Sequence, residues 1–109
     1  MNRLEFASAL GRDAGKLAHS AFGRSALSMK GRHDHVTEMD GEVERFIRAA
    51  IAKRYPDDAI IGEEQGGHGG ERVWVIDPID GTANYARGIP HYCVSIGYLE
   101  RGVPTVGVL

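Results

Sequence analysis

Apolar positions in the first twenty residues recur at helical spacing. Leu4, Ala7, Leu10, Ala14, Leu17 and Ala21 fall on one stripe, which predicts an amphipathic helix from Asn2 to about Phe22. The stripe is rich in alanine, and Gly11 and Gly15 predict close packing against a neighbour at some cost in helix stability. Gly23 is the predicted stop. From Arg24 to Asp34 the period is lost, leaving a polar, cationic connection with Lys30, Arg32 and His33. Thr37-Glu38-Met39-Asp40 then reads as a capping box, with Thr37 as N-cap and Asp40 at the third helical position. The helix it opens carries Val43, Phe46, Ile47, Ala50 and Ile51 on one face. Glu42, Glu44, Arg45, Arg48 and Lys53 lie mostly on the other, and Pro56 ends it.

Past the Pro56-Asp57-Asp58 turn the pattern becomes that of strands. Ala59-Ile60-Ile61 is a short buried strand leading into Gly62-Glu63-Glu64, and the glycine-rich stretch from Gln65 to Glu71 reads as a mobile loop. Val73-Trp74-Val75-Ile76 is a second buried strand. Between Tyr92 and Leu99, Val94, Ile96 and Tyr98 alternate with Cys93, Ser95 and Gly97, as a strand requires. Glu100-Arg101-Gly102 is a tight hairpin turn that returns the chain from Val103 antiparallel. Two helices followed by an antiparallel β meander give an α+β fold.

Composition narrows the function classes. The 109 residues suffice for one small domain, and 42% hydrophobic with 26% charged residues is ordinary for a globular one. A net charge of −2 argues against a nucleic-acid partner, which calls for a basic excess. The single cysteine, Cys93, can make no internal disulfide and fits a reducing compartment. No stretch has the length of a signal peptide's apolar core or of a membrane span, so the cytoplasm is the expected location. The chain stops inside the apolar, strand-like run Val103–Leu109, which leads us to expect the N-terminal part of a longer domain spanning residues 1–109 here.

The candidate chemistry lies just after the second buried strand, in Asp77-Pro78-Ile79-Asp80-Gly81-Thr82. Two carboxylates three positions apart flank a proline that restricts the residue before it. Gly81 permits a sharp turn, and Thr82-Ala83-Asn84 can begin a short helix. A strand end with two acids facing a helix start suits a divalent cation bridging to a phosphate. Taken alone, the same residues are more commonly a solvated Asp-Pro, Asp-Gly turn. An EF-hand loop is excluded, because its third and fifth positions would be Ile79 and Gly81 rather than acids. A haloacid-dehalogenase-type nucleophile is disfavoured, since its aspartates stand two apart. The five histidines show no pair with metal-ligand spacing backed by a third ligand, and Cys93 reads as a small core residue.

With Trp74-Val75-Ile76 before it and Gly62-Glu63-Glu64 upstream, this motif resembles the inositol monophosphatase family of magnesium-dependent, lithium-sensitive phosphomonoesterases. The resemblance covers essentially the whole chain but only the N-terminal half of the family's layered α/β sandwich. It implies that Asp77 bridges two Mg2+ ions, that Asp80 holds the second, and that Glu63 binds the first and holds the attacking water. Ile79 is implied to contribute its backbone carbonyl, and Glu64 a supporting contact. Thr82 is implied to orient the water while Asp40 holds Thr82, although local pattern alone makes Thr82 an N-cap and Asp40 a capping partner. The N–H groups of Gly81 and Thr82 are implied to bind phosphate oxygens, and Lys30 matches a family lysine at a spacing that differs by one residue. The implied substrate is a small phosphorylated metabolite such as an inositol monophosphate. Histidinol phosphate, fructose 1,6-bisphosphate and 3′-phosphoadenosine phosphate are the alternatives, and a homodimer is implied. The family draws a further metal-binding aspartate from its C-terminal half, so these residues alone are expected to be nearly inactive. The competing expectation is a non-catalytic remnant that binds a partner or metal without turnover.

Overall fold

The computed structural model describes residues 1–23, 27–29, 35–63 and 65–109. Helix α1 (Arg3–Ser20) starts where the Asn2 side chain accepts from the Glu5 N–H at 2.8 Å, a side-chain cap for one of the orphan donors of the first turn. It buries Ala7, Leu10, Ala14 and Ala18, so the stripe turns slightly from the predicted one and Leu4 is left exposed. A Cβ at Gly11 would rest 3.5 Å from Val108 Cγ2, an ordinary contact, and none comes near Gly15, so the expected close packing is absent at Gly15. Strands β1 (Leu27–Met29) and β2 (His35–Thr37) pair antiparallel where the sequence suggests only a polar connection. Three-residue strands offer too few positions for alternation to register. Lys30, Arg32, His33 and the Thr37 side chain lie outside the described residues.

Helix α2 (Glu38–Arg54) buries Val43, Ile47 and Ile51 as its period predicts, but also Met39, Asp40 and Glu44. Glu44 is therefore a correction: it sits in the interior, not on the solvent face, and Phe46 is partly exposed instead. A five-stranded sheet follows, with strands β3 (Ala59–Gly62), β4 (Gly66–Gly67), β5 (Arg72–Asp80), β6 (Cys93–Glu100) and β7 (Val103–Val108) in the order β4-β3-β5-β6-β7. The expected meander holds for β5, β6 and β7, whereas β3 joins β5 in parallel. The glycine stretch read as a mobile loop supplies β4, which runs back along β3 before the chain crosses to β5. The predicted β6–β7 turn is present, with Arg101 and Gly102 both at positive φ, 50° and 79°, the pairing a two-residue hairpin needs.

Both helices cover one face of the sheet, where Trp74, Ile76, Ile96 and Tyr98 meet Ala7, Leu10, Val43 and Ile47 in one cluster. The other face is more open: Val75 is exposed, opposite Gly97, which in turn pairs with Gly107. The start of α1 is tied to the sheet through Asp58. Its buried carboxylate accepts from Arg3 and, at 3.0 Å, from Trp74 Nε1, and it pairs with Arg72. The Arg3 guanidinium lies over the Tyr55 and Tyr98 rings at 4.2 and 4.6 Å. Among the described residues no helix is long and apolar enough to cross a membrane.

Candidate metal and phosphate site

Parallel pairing decides what stands beside what. Gly62 is in register with Ile76, and the Glu63 N–H extends the ladder to the Ile76 carbonyl at 3.3 Å. Glu63, just past the carboxyl end of β3, thus stands level with Asp77 on the parallel neighbour β5, at the edge where ligands of open α/β sheets are bound. The chain does not leave the sheet at Ile76 as Pro78 suggested. Strand β5 continues to Asp80, and its pairing with β6 breaks register between Asp77 and Asp80. A proline has no N–H for the ladder, so the irregularity falls where Pro78 sits. That break lets Asp77 turn inward and Asp80 remain exposed, while the Ile79 side chain anchors in the core.

Asp77 is the most perturbed group described. Its carboxyl is pushed up from an ordinary 3.8 to about 7, first by burial, then by a hydrogen bond with Glu63 and by the charges of Glu63, Asp80 and Asp40. Its Oδ1 is sealed from water and has no hydrogen-bond partner among the described residues. The hydrogen bond to Glu63 exists only while the two carboxyls share a proton; once both ionise, they repel. Glu63, Asp77, Asp80 and the Ile79 carbonyl are hard oxygen donors, a type that suits Mg2+ better than a softer ion. Among the described residues no three His, Cys, Asp or Glu side chains form a ready-made metal cage.

Gly81 has φ 90° and ψ 38°, the left-handed region, and a Cβ there would meet the His91 carbonyl oxygen at 2.9 Å. Glycine is required twice over. It caps helix α3 (Thr82–Ala86), so the N-cap role read locally for Thr82 is corrected. The Thr82 hydroxyl instead lies 2.9 Å from Asp40 Oδ2 and 2.9 Å from the Ile79 carbonyl. One hydroxyl has one proton, and the carboxylate is the stronger acceptor. Asp40 is fully buried on α2, its carboxylate turned toward Thr82.

Glu64 lies outside the described residues. His19, His68 and His91 are exposed, and Tyr92 stacks on Phe22 and meets Tyr85 edge-on. An open depression of about 390 Å³ beside Asp80 is lined by Gly81, Pro90, His91, Tyr92 and Cys93. The larger one, about 520 Å³, runs along α1 against β6 and β7 and contains none of the acids. Two residues escaped the sequence reading: Cys93, whose Sγ is 3.9 Å from Asp80 Oδ2, and Glu44, beneath the loop that carries Glu63. No local pattern signals the second, because its partner comes from a distant loop.

Comparison with known proteins adds a family. The model of the inositol monophosphatase family matches residues 2–109. The Nus factor SuhB of Xylella fastidiosa is 49% identical over 81 residues, covering 73% of this chain and 30% of that protein. The fructose-1,6-bisphosphatase/inositol-1-monophosphatase of Thermotoga maritima is 40% identical over 111 aligned positions, 100% of this chain and 43% of that protein. A solved Thermotoga maritima IMPase superposes with a TM-score of 0.95 at 42% identity, over 99% of this chain and 43% of that one. The chain therefore spans less than half the length of the relatives it matches.

Proposed function

The chain belongs to the inositol monophosphatase family, and from that premise we propose that it carries the metal-binding acids of a phosphatase acting on small phosphate monoesters. The observation that supports this most is the Asp77 carboxyl, buried against Glu63 with one oxygen unsatisfied. A protein keeps such an arrangement at a cost in stability, and a cation removes the cost.

Glu63, Asp77, Asp80 and the Ile79 carbonyl would hold Mg2+, which when bound neutralises phosphate oxygens and acidifies a water. The chain's own groups do the rest. Asp40 takes the Thr82 proton into its hydrogen bond, which leaves the Thr82 oxygen lone pairs to accept from the attacking water and aim it. Glu63 holds that water from the other side, at the end of β3. The N–H groups of Gly81 and Thr82 are the donors for phosphate oxygens, held by the left-handed turn at Gly81. Substrate class follows from the family alone: an inositol monophosphate or fructose 1,6-bisphosphate, with histidinol phosphate and 3′-phosphoadenosine phosphate as further members of the assay panel. A homodimer in the cytoplasm and lithium sensitivity belong to the same reading. So does near-inactivity of these 109 residues alone.

The test is phosphate release from that panel, with Mg2+, by a full-length protein in which these residues are joined to the family's C-terminal half. Asp77→Asn should abolish turnover, and Thr82→Ala should lower kcat roughly 100-fold with Thr82→Ser recovering most of it. Undiminished turnover in Asp77→Asn removes the proposal.

A further inference from the structure

Glu44 is a buried carboxylate that the proposed chemistry does not use. It sits on α2 with no exposed surface, and its Oε2 accepts from Arg48 Nε at 2.9 Å and from the Gln65 backbone N–H at 2.8 Å. Arg48 reaches on to the Gly66 carbonyl. The carboxyl also lies flat against the start of the loop. A Cβ at Gly62 would stand 2.5 Å from Glu44 Cδ and 2.6 and 2.7 Å from its two oxygens. Gly62, Gln65 and Gly66 bracket Glu63: one ion pair anchored in the helix hydrogen-bonds the last two and packs its carboxyl against the first. Burying a charge for structural tethering alone is expensive when neutral groups can accept an N–H.

We propose that Glu44, backed by Arg48, is a positioning residue that fixes the backbone on both sides of Glu63 so that its carboxylate stands at Asp77. This rests on the reading of Glu63 as a metal ligand. A group that orients a ligand in this way acts on metal affinity through the ligand, with losses of about 10- to 100-fold when it is removed.

The experiment measures the Mg2+ dissociation constant of the full chain by calorimetry and the melting temperature in EDTA. Glu44→Met, which keeps length but cannot accept the Gln65 N–H, should weaken Mg2+ about tenfold. Glu44→Gln keeps an accepting oxygen and should recover most of the affinity. In a Glu63→Gln background the Glu44→Met effect should vanish, because the two act in series. A purely structural Glu44 would lower the melting temperature and leave Mg2+ affinity unchanged, which overturns the proposal. So does an undiminished Glu44→Met effect in the Glu63→Gln background. Should Glu44→Met fail to fold, Gly62→Ala forces the carboxyl aside by contact alone, and unaltered Mg2+ affinity there is equally fatal. Should Glu63→Gln itself bind Mg2+ like the wild type, the ligand reading of Glu63 falls, and this proposal with it. Loss in Glu63→Gln with none in Glu44→Met or Gly62→Ala sinks the positioning role alone.

Discussion

At the scale of single residues, Asp77 ties stability to pH in a direction opposite to most carboxylates. Its folded-state pKa is raised to about 7 rather than depressed. The folded chain therefore binds a proton more tightly than the unfolded one, and stability falls as pH rises from about 4 toward 7. Above pH 7 the full penalty is present unless a cation offsets it. Metal-free Asp77→Asn should consequently be more stable than the wild type at pH 8, with the advantage shrinking at pH 5. Urea unfolding in EDTA at the two values decides this, and equal midpoints at pH 8 would contradict it. A variant that melts later yet turns nothing over would be the expected exchange of activity for stability. None of this was legible locally, since two aspartates near a proline more commonly describe a solvated turn.

Elements explain which parts of the pattern could be read. Long helices and β6 were legible because each repeats its period several times. Glu44 was not, because periodicity sends charges outward and only a distant loop supplies the partner that keeps one inside. The local N-cap reading of Thr82 failed for a related reason: an N-cap is local chemistry, whereas the bond to Asp40 that the resemblance implied spans 42 positions. The α3 start is where local chemistry did prevail, in the glycine before it. Gly81→Ala should cost about 1–2 kcal/mol for the left-handed backbone and more for the contact with the His91 carbonyl. Its loss in denaturant midpoint should exceed that of Gly15→Ala, which meets open space in a helix that welcomes alanine.

Across the whole molecule, Asp58 joins segments far apart in sequence. It brings the first turn of α1, the start of β3 and the start of β5 onto one carboxylate, with its side chain 3% exposed. Removing it strands Trp74 Nε1 in the core and leaves Arg3 without its bidentate partner. Asp58→Ala should therefore destabilise the fold by about 3 kcal/mol, read from the denaturant midpoint, with Mg2+ affinity kept in the molecules that remain folded. A loss within 0.5 kcal/mol, roughly the scatter of surface changes, would show that the network is dispensable.

The parallel ladder of β3 on β5 has one more consequence. Ladders advance in whole residues, and a one-step slip would turn the side chains of the slipped strand to the opposite face. The separation of Glu63 from Asp77 is thus quantised: it is inherited from the hydrogen-bond count and cannot drift by fractions. Mutation elsewhere can bend side chains or reshape the rim, but it can retune this spacing only by a jump that dismantles the sheet.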